Sequence, residues 1–232
     1  MSSEPSLRKV AAARAAEVCE RFELDRRARP LLKPDATPRE FLGVLEAERQ
    51  RQSAVCFLAH ALPAREAVWW GSLCVAQAGG SALPPAEAAA ARAAAAWVLE
   101  PTEENRNAAE KAATGAPKGT AAEMLAVAAG WTGGSLAPPL PKVPPVPPGP
   151  WLPAKGVYGA VLLAATASGG DVQETLRLFV ELGIGVAEGR FTWPDVKPRR
   201  PGAKPGTARN RGSRSDRAPH LARMSRPMPA GR

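Results

Sequence analysis

The stretch that most constrains this chain is residues 53–78, SAVCFLAHALPAREAVWWGSLCVAQA, almost continuously apolar and written with a helical period. Val55, Leu58, Ala59 and Leu62 fall at i, i+3, i+4 and i+7, one stripe of a 3.6-residue repeat, while Cys56, Phe57 and Ala61 fill the other side. Beyond Pro63 the pattern resumes with Val68, Trp69, Trp70, Leu73 and Cys74. A helix that is apolar around its whole circumference has to be covered by neighbours on every side. Residues 53–78 are therefore expected to form a central helical pair, with Pro63 opening the second member. A single helix kinked at Pro63 is the alternative.

The flanking sequence supplies the cover. Ser6 is placed to cap a first amphipathic helix carrying Leu7, Val10, Ala11, Ala15, Val18, Cys19 and Phe22. Thr37-Pro38-Arg39-Glu40 joins a capping threonine, proline at the first helical position and glutamate at the third, opening a helix through Phe41, Leu42 and Leu45 to residue 52. Pro84-Pro85 opens an alanine-rich helix to Leu99, and Thr102 caps the next. Thr120-Ala121-Ala122-Glu123 reads as a second capping box ahead of Met124, Leu125, Val127 and Trp131. Residues 154–190 read as a helical hairpin broken at Gly169-Gly170, with Asp171 capping its second arm. Abundant alanine and few aromatic residues favour helices packed through small side chains over a sheet. The expected class is all-α, an irregular bundle of helical hairpins with seven or eight helices.

Four segments follow: a helical body over 5–137, a proline-rich strap over 138–153, a helical hairpin over 154–193 that packs on the body, and a disordered basic tail over 194–232. Within LAPPLPKVPPVPPGPWLP, the residues Pro138, Pro141, Pro144, Pro147, Pro150 and Pro153 recur every third position. Polyproline II repeats every three residues, so these prolines would line one edge of a rod about 50 Å long. Such a rod serves as a stiff strap, or as a docking strip for an aromatic-lined groove. The tail holds 11 Lys and Arg against 2 Asp and Glu, while the remainder is balanced at 20 and 20, so the whole net charge of +9 lies there. Arg199, Arg200, Lys204, Arg209, Arg211, Arg214 and Arg217 are its candidate polyanion contacts. No aromatic residues are interleaved, so base stacking is not indicated. The competing reading is a solubilising extension.

Chemistry has few footholds. Cys56 and His60, at i and i+4, could be a nucleophile and its base or half of a metal site. Burial in an apolar helix raises a thiol pKa, which opposes activation, and the pair is read as core. Arg65, Glu66, Trp69 and Trp70 stand on one turn after Pro63, a grouping that carries binding energy when desolvated. Together with Pro141, Pro144 and Pro147 they form the candidate protein-contact surface. Against this, Arg65 would cap neighbouring carbonyls and Trp69 would fill the core. Phosphate-binding, dinucleotide, HExxH and GxSxG patterns do not occur, and no catalytic residue, cofactor or metal set is assigned. Three scattered cysteines, Cys19, Cys56 and Cys74, fit a reducing compartment, and no apolar run reaches the length of a membrane span. The expected location is cytoplasmic.

The segments FLAHALPAREAVWWGSLC (57–74), AWVLEPTEENRNAAEKAA (96–113) and WTGGSLAPP (131–139) resemble an uncharacterised bacterial family of helical proteins. The resemblance covers roughly residues 7–190 and stops before the basic tail. It implies a shared helical fold, and an accessory or adaptor role beside type VI secretion components, with no catalytic residue to carry over. The expected function is a non-catalytic interaction protein with an unidentified protein partner. Nonspecific nucleic-acid contact through the tail comes second, and a cysteine-dependent enzyme third.

Overall fold

The need to cover residues 53–78 decides the architecture. The computed structural model describes residues 6–79, 83–137 and 144–193. Among these residues it contains nine α-helices and no strand: α1 (Ala15–Cys19), α2 (Pro38–Ala47), α3 (Arg51–Ala61), α4 (Ala64–Gly79), α5 (Pro85–Leu99), α6 (Glu103–Gly115), α7 (Ala121–Gly130), α8 (Leu152–Ala167) and α9 (Val172–Glu188). The chain is all-α. Leu62 is extended at ψ 144°, so α3 and α4 are separate helices, and the Pro63 carbonyl accepts the first bond of α4 from Ala67. Nearly every side chain of α3 from Ser53 to Ala61 is buried, Cys56 alone being half-buried.

Two groups of helices enclose this pair. Helices α5 and α7 pack beside α4 with α6 against both of them, and α8 lies along α7, α4 and α3. The second arm, α9, lies across α3 and α4, while α1 and α2 close the far side of α3. One continuous apolar core runs from Leu7 to Ala187. The hairpin α8–α9 is part of that core: the buried Trp70 donates its indole N–H to the Phe179 carbonyl at 2.8 Å. Close approach there requires a glycine, since a Cβ at Gly183 would sit 2.9 Å from both Leu58 Cδ1 and Trp70 Cε2.

Helix ends follow local chemistry where that chemistry is uncontested. Thr37 and Glu40 form a complete reciprocal capping box on α2. Thr102 caps α6 and Asp171 caps α9 through their side-chain oxygens. Thr120 caps α7 through the Glu123 amide, but the reciprocal half of this box does not form. The Glu123 carboxylate turns instead to Lys118 Nζ at 3.0 Å and the Gly119 amide at 3.4 Å.

Three expectations are corrected. The first helix does not extend from Ser6 to Phe22: only Ala15–Cys19 is helical. The Lys9 amide is committed to the Ala187 carbonyl of α9 at 2.8 Å, and Ala15 to Ala36, so 7–14 runs as a strap over the bundle. The helix opening at Thr37 stops at Ala47, because Arg49 takes a left-handed conformation at φ 53° and turns the chain into α3. The proline-rich stretch is not one straight rod. The Leu136 amide donates to the Val146 carbonyl at 2.8 Å, and the Val146 amide to Ser135 Oγ at 3.0 Å, so these residues meet where a rod would hold them roughly 30 Å apart.

Candidate functional site

The turn after Pro63 brings together Arg65, Glu66, Trp69 and Trp70, and the structure commits each of them internally. Arg65 donates from Nε to the Val98 carbonyl at 2.7 Å and from Nη2 to Leu99 at 3.1 Å. Those carbonyls end α5 and lack intrahelical donors, so Arg65 acts as its C-terminal cap. Glu66 pairs with Lys9 at 3.3 Å. Trp70 is fully buried, whereas Trp69, about 100° further round the helix, is half-buried and donates to the Phe191 carbonyl at 3.1 Å. Trp193 meets Trp69 edge to face at 6.5 Å and lies under the Arg65 guanidinium at 4.3 Å. The residues after α9 thus fold back as a latch over the turn, a contact that no local pattern in 191–193 announces.

Cys56 and His60 do meet, with Sγ 3.8 Å from Nδ1. The same Nδ1 lies 2.9 Å from the Cys56 carbonyl, which can only accept, so Nδ1 carries the ring proton. It therefore cannot take a proton from the thiol. Nε2 is buried and has no partner among the described residues. Burial pushes the Cys56 thiol up to about 12 and the Cys19 thiol to about 11, and holds the His60 imidazole below its ordinary value. The pair is a structural contact, stacked on Phe22 at 4.7 Å between ring centres. Among the described residues no group of three or more His, Cys, Asp or Glu could hold a metal ion, and no helix is long and apolar enough to cross a membrane.

The motifs behind the resemblance acquire structural roles here. Arg106, of the TEENRNAAEK segment, is buried and donates to the Gly130 carbonyl at the end of α7 at 2.8 Å while pairing with Glu103 at 2.7 Å. Gly133 and Gly134, of the WTGG segment, lie directly over its guanidinium. The two motifs form one clamp between α6 and α7. Residues 41–187 match a family described as a family of unknown function (DUF6931). The chain belongs to that family. No curated protein and no solved structure matches it. The DUF6931 span starts at Phe41 in α2 and ends at Ala187 in α9, so it takes in the enclosed core and the Arg106 clamp. The Lys9 strap and the Trp193 latch lie outside it.

Two of the candidate surfaces differ in what is open to contact. Pro144 and Pro147 are placed in the proline-rich loop, whose feet are tied by Ser135; Leu136, Val146 and Trp151 on the same segment are 48%, 49% and 39% exposed. Pro141 lies outside the described residues, as do Arg199, Arg200, Lys204, Arg209, Arg211, Arg214 and Arg217. Cys56 also lines a wall of a cavity between residues 22–27, which follow α1, and the α2–α3 corner, together with Arg26, Arg27, Arg49 and Arg51. Nothing in the sequence pattern brings these arginines together, since α2 separates the two pairs; the one signal is their density on either side of it.

Proposed function

We propose that this chain is a non-catalytic helical interaction protein that offers its proline-rich loop to a protein with an aromatic-lined groove. The observation that carries this reading is the exposure of Leu136 and Val146, which are fastened to each other by a hydrogen bond at the feet of this segment. Large apolar side chains held outward on an anchored loop lose little freedom on binding, which favours recognition. The Arg65–Trp70 turn supports the core and the latch, and so serves the scaffold and not the contact. The apposed Cys56 thiol and His60 imidazole lack the proton geometry of a nucleophile and base. The accessory role beside a type VI secretion apparatus comes from the resemblance of the helical motifs.

The test is photocrosslinking in the native host from a reactive residue at Val146, with one at the exposed Leu178 on α9 as control. Crosslinks to a single species from position 146, competed by the peptide PPVPPGPWLP and absent from position 178, support the reading. Equal labelling from both positions, or no competition, rejects it. Intact secretion after deletion of the gene rejects the type VI role alone. The charge distribution favours a second reading, in which the tail holds nucleic acid electrostatically. DNA affinity that falls steeply with salt and vanishes when the tail arginines become glutamine would support it.

A further inference from the structure

The cavity beside Cys56 has a volume of about 710 Å³ and is walled by residues 22–27, residues 49–53, Cys56, Tyr158 and Gln173. That size matches sites for small organic ligands. Four arginines line it, Arg26, Arg27, Arg49 and Arg51, together with Glu23 and Asp25. Asp25 is already engaged, accepting the Arg27 amide at 2.8 Å. Glu46 and Glu174, on the helices either side, lie within electrostatic reach of Arg51. The Arg51 Nε–H is nevertheless buried with no hydrogen-bond acceptor among the described residues.

Two further features face the same space. Helix α3 begins here, and Gln50 makes no side-chain cap. The amides of Arg51, Gln52 and Ser53 are in its first turn, where a helix supplies no acceptor of its own. The corner also holds Arg49 at φ 53°, the only non-glycine residue at positive φ among the described residues. Glycine would make this turn without strain, so the backbone conformation does not account for an arginine there. The Tyr158 phenol and the Cys56 thiol on the remaining wall are uncharged at neutral pH, and burial raises both pKa values further.

We propose that this cavity binds a small molecule carrying two or more linked phosphates, of nucleoside diphosphate size, with its phosphates between Arg49, Arg51 and the first turn of α3. Guanidinium forks match phosphate oxygens in pairs, and helix N-terminal amides receive the same charge. Phe22 and Tyr158 line the same cavity, and aromatic residues there suit the rest of the ligand. None of the lining residues belongs to the proline-rich segment.

The test is calorimetric titration of the full chain with ADP and, separately, with sodium tripolyphosphate, in metal-free buffer at about 0.15 M salt. Binding of at least one probe is expected, weakened about tenfold or more in the double variant Arg49→Gly, Arg51→Gln. A full chain with Arg199, Arg200, Arg209, Arg211, Arg214 and Arg217 replaced by glutamine is expected to bind as the native chain does. The single variant Arg49→Gly, whose backbone suits the turn, is expected to bind several-fold more weakly without a lower melting temperature. Tighter binding of ADP assigns a nucleoside ligand; equal binding assigns the phosphate chain alone. No heat with either probe up to millimolar concentration overturns the proposal, as does loss of binding in the tail variant with retention in the Arg49, Arg51 variant.

Discussion

Helices α2 and α9 end in the same hydrogen-bonded turn with different residues at its apex. In α2 the Arg49 amide donates to Glu46 at 3.1 Å and Gln50 to Leu45 at 2.8 Å; in α9 Gly189 donates to Val186 at 2.9 Å and Arg190 to Gly185 at 2.8 Å. Both apices are left-handed, at φ 53° and 80° respectively, and the pattern is the six-residue closure that usually places glycine at this point. The end of α9 follows the rule, and its turn sends the chain back as the Trp193 latch. The end of α2 departs from it and sets an arginine on the wall of a cavity. The same backbone problem is thus solved once for the fold and once, on our reading, for a ligand.

The largest test of this contrast is Trp70→Ala. If α9 is held by the packing beneath it and not by its terminal turn, the loss should be about 3–5 kcal/mol in urea denaturation, more than any change at either apex. A loss below about 1 kcal/mol would mean that the turn carries α9. Next in size is Gly189→Ala. The Cβ would meet open space, so the expected loss of about 1–2 kcal/mol is backbone strain alone. In the opposite direction, Arg49→Gly should gain about 0.5–1 kcal/mol, less than the loss at 189 because φ 53° lies near the left-handed minimum that L residues tolerate. If Arg49→Gly lowered stability instead, the arginine would be structural and the contrast would fail.

The smallest effect concerns the histidine behind the cavity wall. Burial lowers the His60 pKa, so the unfolded chain binds this proton more readily than the folded one. Its contribution is fully present above the ordinary imidazole range and is lost as pH falls through about 6.5 toward the lowered folded value. Melting curves from pH 7 to 5 should therefore decline less steeply for His60→Phe, which retains the stack on Phe22, than for the native chain. Parallel declines would show that the imidazole does not contribute.

What could be read from the sequence was what neighbouring residues decide among themselves. The burial of 53–62 and of one face of α4, the caps at Thr37, Thr102 and Asp171, and the break at Pro63 all follow from local spacing and local donors. Expectations failed where another partner, distant or near, outbid the expected one. Leu7 and Val10 carry a helical spacing, yet the Lys9 amide is taken by Ala187, far along the chain. Thr120 and Glu123 have the spacing of a capping box, yet Lys118 captures the carboxylate. The Cys56–His60 spacing was legible and its meaning was not, because the tautomer depends on a carbonyl in the same turn. The cavity was least legible, since its arginines meet only after α2 has turned the chain.

The tie between Ser135, Leu136 and Val146 separates two properties that a straight proline rod would have joined. A rod that spans two helical parts sets their spacing by its length, and any insertion or deletion would move them. Here the feet are fastened to each other, and the core registers only where they stand. Doubling the chain between such feet adds about 0.6 kcal/mol of closure entropy. The chain between these feet can therefore lengthen, shorten or change composition from one protein to another while the helices on either side stay unaltered.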